Sequence, residues 1–451
     1  MSTTNSQQSA GFTGAPGQID YTEFTLKNGL HVILHEDHKA SVVCLNIAYH
    51  VGSKNENESR KGFAHLFEHL LFDGSKNVPR GAFDKFITEA GGQDNAYTTE
   101  DKTNYYEVLP SHQLELGLWL ESDRMMEFGI SEISLVTQKN VVKEEKRERY
   151  DNAPYGSLSE RMSRLAYDRF PYSWTVIGDM ETIDAATLTD VEDFFNTFYV
   201  PNNAVLVLTG DFRSDEATAL IRKYFEDIPR GAEIRRPIFD EADRKVEQRE
   251  EVADEEIPMP AVFYGYRIPP DGSRDFMALD LLTDILSSGQ SSRLYRKLVY
   301  EMQIGSEVSA FVDGREMPGL LYLYAFASEA GIETEALESA LQSVIDEVIA
   351  AGVTEQELQK ALNKTEARMI ASRVTVQGKA DQLAHSYIFF GDTSRANTML
   401  EEYRSITVED VRRAAEQYLL PSKRSTVVYR MPDEGKMIDA SLLSQDPYHR
   451  N

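Results

Sequence analysis

Residues 187–201, TLTDVEDFFNTFYVP, and 407–421, TVEDVRRAAEQYLLP, align without a gap at one offset of 220 residues. Thr187, Asp190, Val191 and Pro201 recur as Thr407, Asp410, Val411 and Pro421. Each copy opens with Thr-x-x-Asp, a helix-start signal, then runs apolar at helical spacing, stops at proline and passes into a strand, AVLVLTG or STVVYRM. A repeat unit of this length implies a duplicated architecture rather than one continuous core. Earlier segments extend the match. In the first half FTL and LHVIL flank the Asn28-Gly29 turn, followed by the strand VVCLNIAYHVGS and an apolar-periodic helix. In the second, AVFYGYRIPP precedes the helical run FMALDLLTDILSSG. The stretch between the halves is rich in charge and poor in large apolar residues, as an exposed linker would be. The expected organisation is a disordered lead (1–19), a first half (20–228), a charged linker (229–256), a second half (257–435) and a tail (436–451). The expected fold class is α+β, each half a mixed sheet covered by helices.

Charge and cysteine content narrow the function. With 47 basic against 74 acidic residues the net charge is −27, a field that repels phosphate backbones and anionic headgroups and would steer cationic peptides toward the protein. Nucleic acid is excluded as a partner on that ground. Cys44 is the one cysteine among 451 residues, so a bound metal must be held by His, Asp and Glu. Cys44 lies in an apolar strand and reads as packing rather than as a nucleophile. The polar opening MSTTNSQQSAGFTGAPGQ lacks the basic and apolar regions of a secretory signal. No apolar run approaches the roughly eighteen residues of a membrane span. A cytoplasmic location without a membrane segment is expected.

The sharpest chemical feature is GFAHLFEHLLFDGS, which contains His65, Glu68 and His69. Four residues apart on a helix, the two imidazoles are only about 40° apart around the axis and can reach one ion, and Glu68 overlooks the same spot. Phe63, Leu66, Phe67, Leu70 and Leu71 cover most other directions. Three titratable groups inside so apolar a helix need partners, and a zinc ion would provide them. A third protein ligand is still needed. In EISLVTQKNVVKEEKRERYD, Glu145 has Val141 and Val142 at its i−4 and i−3 positions and should point inward, whereas Glu144 and Glu148 lean toward solvent. His31, His35 and His38 alternate along LHVILHEDH and are expected on an exposed strand face. His112, His385 and His449 show no ligand spacing.

His65-x-x-Glu68-His69 is the inverted motif of inverzincins, and together with Glu145, 76 residues beyond His69, it resembles the insulinase and mitochondrial-processing-peptidase family. GGQDNAYTT at 91–99, VVKEEKR around Glu145 and SSGQSSRLY in the second half are similar to that family as well, and the likeness runs from Tyr21 to about Pro432. It implies a clamshell of two halves and a zinc metallopeptidase of extended oligopeptides, with one zinc per chain on His65, His69 and Glu145 and with Glu68 as general base. Asn95, Ala96 and Tyr97 would lie on an edge strand to which substrate adds. Two departures stand out. Gln138 occupies an outer position where the family commonly has Glu. Val299 and Ser306 stand where active members carry an Arg and a Tyr that bind substrate and the developing oxyanion. Nearby Arg293, Arg296 and Tyr300 are expected in surface ion pairs or packing, and DLLTD replaces the metal motif in the second half. The resemblance therefore implies a heterodimer with a homologous subunit that supplies the Arg/Tyr pair; a homodimer stays open. The alternative is a non-catalytic assembly or peptide-capture subunit.

Overall fold

The computed structural model describes residues 17–127 and 129–432. The expected tail, His449 and most of the expected lead lie outside these residues. Ile19, placed at the end of the lead, is buried, and its backbone exchanges hydrogen bonds with the Asn397 amide at 2.8 and 2.9 Å.

The first sheet contains β1 (Thr22–Thr25), β2 (His31–Glu36), β3 (Val42–Tyr49), β4 (Gln93–Thr98), β5 (Thr103–Pro110) and β6 (Ala204–Gly210) in the order β1-β2-β6-β3-β5-β4. The second contains β7 (Gln248–Ala253), β8 (Ala261–Ile268), β9 (Gly305–Asp313), β10 (Gly319–Ala327) and β11 (Arg424–Arg430) in the order β7-β11-β8-β10-β9. Without the hairpin strand β1 the two orders coincide, and in both the single parallel pairing falls at the same place, β2 with β6 and β7 with β11. The repeat is equally clear in side chains. Thr187 and Asp190 cap the helix Leu188–Phe198 reciprocally, at 3.2 and 2.9 Å, and Thr407 and Asp410 do the same for Val408–Tyr418, at 3.2 and 3.0 Å.

One expectation is corrected by this topology. The charged segment 229–256 is not linker throughout, because Gln248–Ala253 forms β7, the counterpart of β2. QREEVA hides its strand character because it is an edge, where charged side chains are tolerated on both faces. Here they are also paired, Arg249 with Glu338 and Glu250 with Arg161 and Arg164.

Period-two alternation gives each sheet two apolar faces. Val32, Leu34, Val43, Leu45, Ile47, Leu206 and Leu208 join the core of the first half. The opposite face, with Ile33, Cys44, Ala48, Val205 and Val207, is covered by Ala380, Leu383, Ala384 and Ile388 on the helix Val376–Phe390, which comes from the second half. The exchange is mutual. Met162 and Ala166 on the first-half helix Leu158–Ala166, with Tyr167, Phe170 and Tyr172 beyond it, cover Ala261, Phe263, Leu320, Val427 and Tyr429 of the second sheet. The same exchange overturns the expectation of exposed histidines. His31 and His35 share a face with Ile33, and that face is buried. His31 stacks on Tyr387 with ring centroids 3.8 Å apart, and His35 lies within hydrogen-bond reach of the Asp20 carbonyl. Only His38 of the three is exposed, between Asp211 and Glu36.

Cys44 is fully buried against the exchanged helix and reports on it. Leu383→Ala is expected to cost about 2–5 kcal/mol and to speed thiol labelling of Cys44 in mild denaturant. Labelling no faster than in the unsubstituted chain would contradict the shared core.

Candidate metal centre

Phe63–Asp73 forms the helix that carries the motif, with Phe63, Leu66, Phe67, Leu70 and Leu71 buried as the pattern requires. Its N-cap, Gly62, has φ +90° and no side chain with which to cap. Glu56 supplies the missing acceptor. Its buried carboxylate accepts from the Gly62 N–H at 2.9 Å and the Ala64 N–H at 2.8 Å, and from Trp174 Nε1 at 3.0 Å. Burial pushes this carboxyl up to about 8, and the N–H donors oppose the shift. In all three contacts the Glu56 oxygens act as acceptors, and they fix the turn next to His65. Behind the helix, Tyr105 donates to the Phe67 carbonyl at 3.1 Å.

Glu145 arrives on the neighbouring helix Glu132–Lys146, started by Ser131, whose hydroxyl accepts from the Ser134 N–H. Glu144 and Glu148 are exposed, as expected, and Glu145 turns inward. Of the two valines one turn before it, Val142 is buried and Val141 is exposed, so burial of one neighbour is enough to turn Glu145 inward. The His65, His69 and Glu145 side chains are 12%, 23% and 16% exposed, so they form a partly shielded cluster rather than a surface patch. Glu145 Oε2 lies 3.6 Å from His65 Nε2 and 3.2 Å from His69 Nε2. Ligands at 2.0–2.1 Å around a tetrahedral zinc are separated by about 3.3–3.4 Å, a value that the two carboxylate-to-imidazole separations bracket, and all three ligand atoms lie within 4.8 Å of one another. Among the described residues this is the one group of three or more His, Cys, Asp and Glu with metal-ligand spacing.

Protonation states suit the same use. Burial, aided by neighbouring His69, pushes His65 down to about 4, which leaves its imidazole neutral at pH 7. Hydrogen bonding to His69 holds Glu145 below its ordinary value. Glu68 moves the other way, raised chiefly by burial, while Thr98 donates to its Oε2 at 2.6 Å. Thr98 ends β4, and among the described residues β4 is an edge strand hydrogen-bonded to β5 alone. Asn95 on this strand is exposed, and Ala96 and Tyr97 are half-buried.

Other predicted residues fall elsewhere. Gln138 donates to Asp73 at 3.1 Å, tying the middle of its helix to the C-terminal end of the motif helix rather than touching the imidazoles. Ser306 donates to the Ala327 carbonyl at 2.9 Å, and Val299 is half-buried on a turn of π-helix, Tyr295–Glu301. Arg293 pairs with Glu357 and Arg296 with Glu301, while Tyr300 is exposed. In the second half Asp280 accepts from Tyr403 and Asp284 pairs with Arg368, so the carboxylates of DLLTD have protein partners. Three contributors escaped the sequence reading. Arg149 grips Glu145 Oε1 at 2.6 Å, a contact implied by its i+4 spacing. Thr98 follows the strand triplet directly, and Glu56 carries no local signal.

A paired-imidazole helix and a carboxylate donor, built into a duplicated two-sheet chain, define the inverted-motif class of metallopeptidase scaffold. Residues 31–179 match the family model described as insulinase (peptidase family M16), and 185–365 match the one described as the peptidase M16 inactive domain. The chain belongs to this family. The zinc protease PqqE of Helicobacter pylori is 30% identical over 407 residues, covering 89% of this chain and 91% of that protein. The crystal structure of a protease from Helicobacter pylori aligns with a TM-score of 0.86 at 29% identity, over 91% of this chain and 99% of that one. A peptidase M16 inactive domain from Pseudomonas fluorescens shares the fold, with a TM-score of 0.81 at 19% identity over 92% and 98%.

Replacing Glu56 by Ala leaves two buried backbone N–H groups and the part-buried Trp174 N–H without their acceptor and is expected to lower stability by at least about 2 kcal/mol. Urea unfolding checks this, and an unchanged midpoint would show that the carboxylate does not cap the helix.

Proposed function

We propose that the chain is the zinc-bearing subunit of a metalloendopeptidase that cleaves extended oligopeptides. The observation that carries this reading is the convergence of His65, His69 and Glu145, with ligand atoms within 4.8 Å of one another, and of Glu68 on the same helix, bonded to the edge strand β4. These three residues would hold zinc, which when bound lowers the pKa of water and polarises a carbonyl. Glu68 would act as general base. Its raised pKa keeps the proton, once taken, available for the leaving amine, and the Thr98 hydroxyl holds Oε2 in a fixed direction. The substrate would pair through its backbone with β4 near Asn95, Ala96 and Tyr97, which tolerates many sequences.

The second half offers neither a guanidinium nor a phenol at 299 and 306. This supports completion of the site by a homologous subunit that carries an Arg/Tyr pair, in a heterodimer. The same loss favours the second reading, a non-catalytic subunit that captures peptides or assembles through this fold. No helix among the described residues is long and apolar enough to cross a membrane, and a cytoplasmic location forms part of the proposal.

Assay of a quenched-fluorescent oligopeptide separates the readings. The zinc-loaded chain alone is expected to be nearly inactive, and the homologous partner to restore cleavage. Glu68→Gln in the active complex should then lower kcat at least about 100-fold with zinc content unchanged. Full activity of the homogeneous single chain would remove the partner requirement. A loaded complex that cleaves nothing, or cleavage unaffected by Glu68→Gln, would favour the non-catalytic reading.

Chelation should abolish cleavage while far-UV circular dichroism stays nearly constant, because both sheets bury their cores without the ion. Unfolding on chelation would contradict this.

A further inference from the structure

The turn joining β9 to β10, residues 314–318, packs against residues 99–102, the turn joining β4 to β5. Arg315, 4% exposed, reaches Glu100 Oε1 at 2.8 Å and Asp313 Oδ2 at 2.6 Å, and its guanidinium lies over the Tyr172 ring, 4.7 Å from the centroid. The next residue, Glu316, donates its backbone N–H to Asp101 Oδ2 at 3.0 Å. Its carboxylate pairs with Lys54 and lies 2.6 Å from His50 Nε2. Lys54, 1% exposed, also pairs with Asp101 at 2.7 Å, and Tyr172 bridges the two turns by donating to Asp101 and accepting from the Met317 N–H. From the first half itself, the Lys54 N–H donates to the Glu100 carbonyl at 2.9 Å. Charges this buried hold their geometry because an unpaired partner would be left without water.

The position of this network gives it a consequence. Glu100 is two residues past Thr98, the end of β4 and the donor to Glu68. Among the described residues edge strand β4 has β5 as its one strand neighbour, so the turn is the second fixed point along the hairpin. A strand that is ordered before peptide arrives loses less entropy on binding.

We propose that the second half is a positioning element for the substrate strand. Arg315 and Glu316 fix the β4–β5 turn, and through it β4 and the hydrogen bond from Thr98 to Glu68. The proposal rests on the reading that an extended peptide adds to β4. It assigns work to a half that has lost the expected Arg and Tyr, and it names both as positioning residues, since neither touches the imidazoles.

Hydrogen exchange on the full chain tests it without requiring turnover. In Arg315→Gln, amides of residues 93–104 should exchange at least about tenfold faster, while those of 63–73 and of β8 and β10 keep their rates. Zinc stoichiometry and the visible spectrum of the cobalt-substituted chain should not change, a result that a general loss of structure would not give. If Arg315→Gln does not fold, Glu316→Gln serves, since it keeps the backbone bond to Asp101 and should give a smaller acceleration in the same segment. Unchanged exchange over 93–104 in a folded variant overturns the proposal. Affinity for a fluorescent oligopeptide, measured in the Glu68→Gln background, should fall in parallel. Faster exchange with unchanged affinity would leave the turn contact standing but refute β4 as the substrate strand, which separates the two failures.

Discussion

The constraint on which the rest depends is that each sheet has two apolar faces and its own half covers only one. The helix Val376–Phe390 lies on Ile33, Cys44, Ala48, Val205 and Val207, and Met162, Ala166 and their neighbours lie on the second sheet. Apolar burial of this extent stabilises each face by several kcal/mol at about 25 cal/mol per Å². Neither half can leave the other without exposing such a face. The duplicated halves thus behave as one body, and a residue at a turn of the second sheet can serve a strand of the first.

That rigidity matters for a centre made of side chains from separate elements. The two imidazoles share a helix whose first turn is held by Glu56 and whose side is held by Tyr105. Glu145 comes from another helix, tied back through the contact of Gln138 with Asp73. The donors are already gathered within 4.8 Å of one another, and burial keeps His65 in the neutral form that a ligand must have. The same burial raises Glu68, so one environment prepares a neutral imidazole and a more basic carboxylate within a single turn of helix.

Much of this was legible from residues. The Thr-x-x-Asp repeats announced two equivalent capped helices, and His65, Glu68, His69 and Glu145 were found together as expected. That β4 would be an edge strand came from the resemblance of GGQDNAYTT to the family's strand rather than from its residues alone. What stayed hidden depends on distant packing. β7 carried too much charge to look like a strand until its ion pairs were visible. Alternation placed His31 and His35 on one face, but nothing local could say that a helix more than 340 residues later would cover it. The contacts of Glu56 with Trp174 and of Arg315 with Glu100 likewise join residues without any shared pattern.

The central claim, that the duplicated chain holds one metal in its first half alone, is most directly tested by anomalous diffraction at the zinc edge from crystals of the zinc-loaded chain. A single peak bounded by His65, His69 and Glu145, with none near Asp280 and Asp284, is the predicted result. A peak in the second half, or no peak in folded chains crystallised with excess zinc, would contradict it.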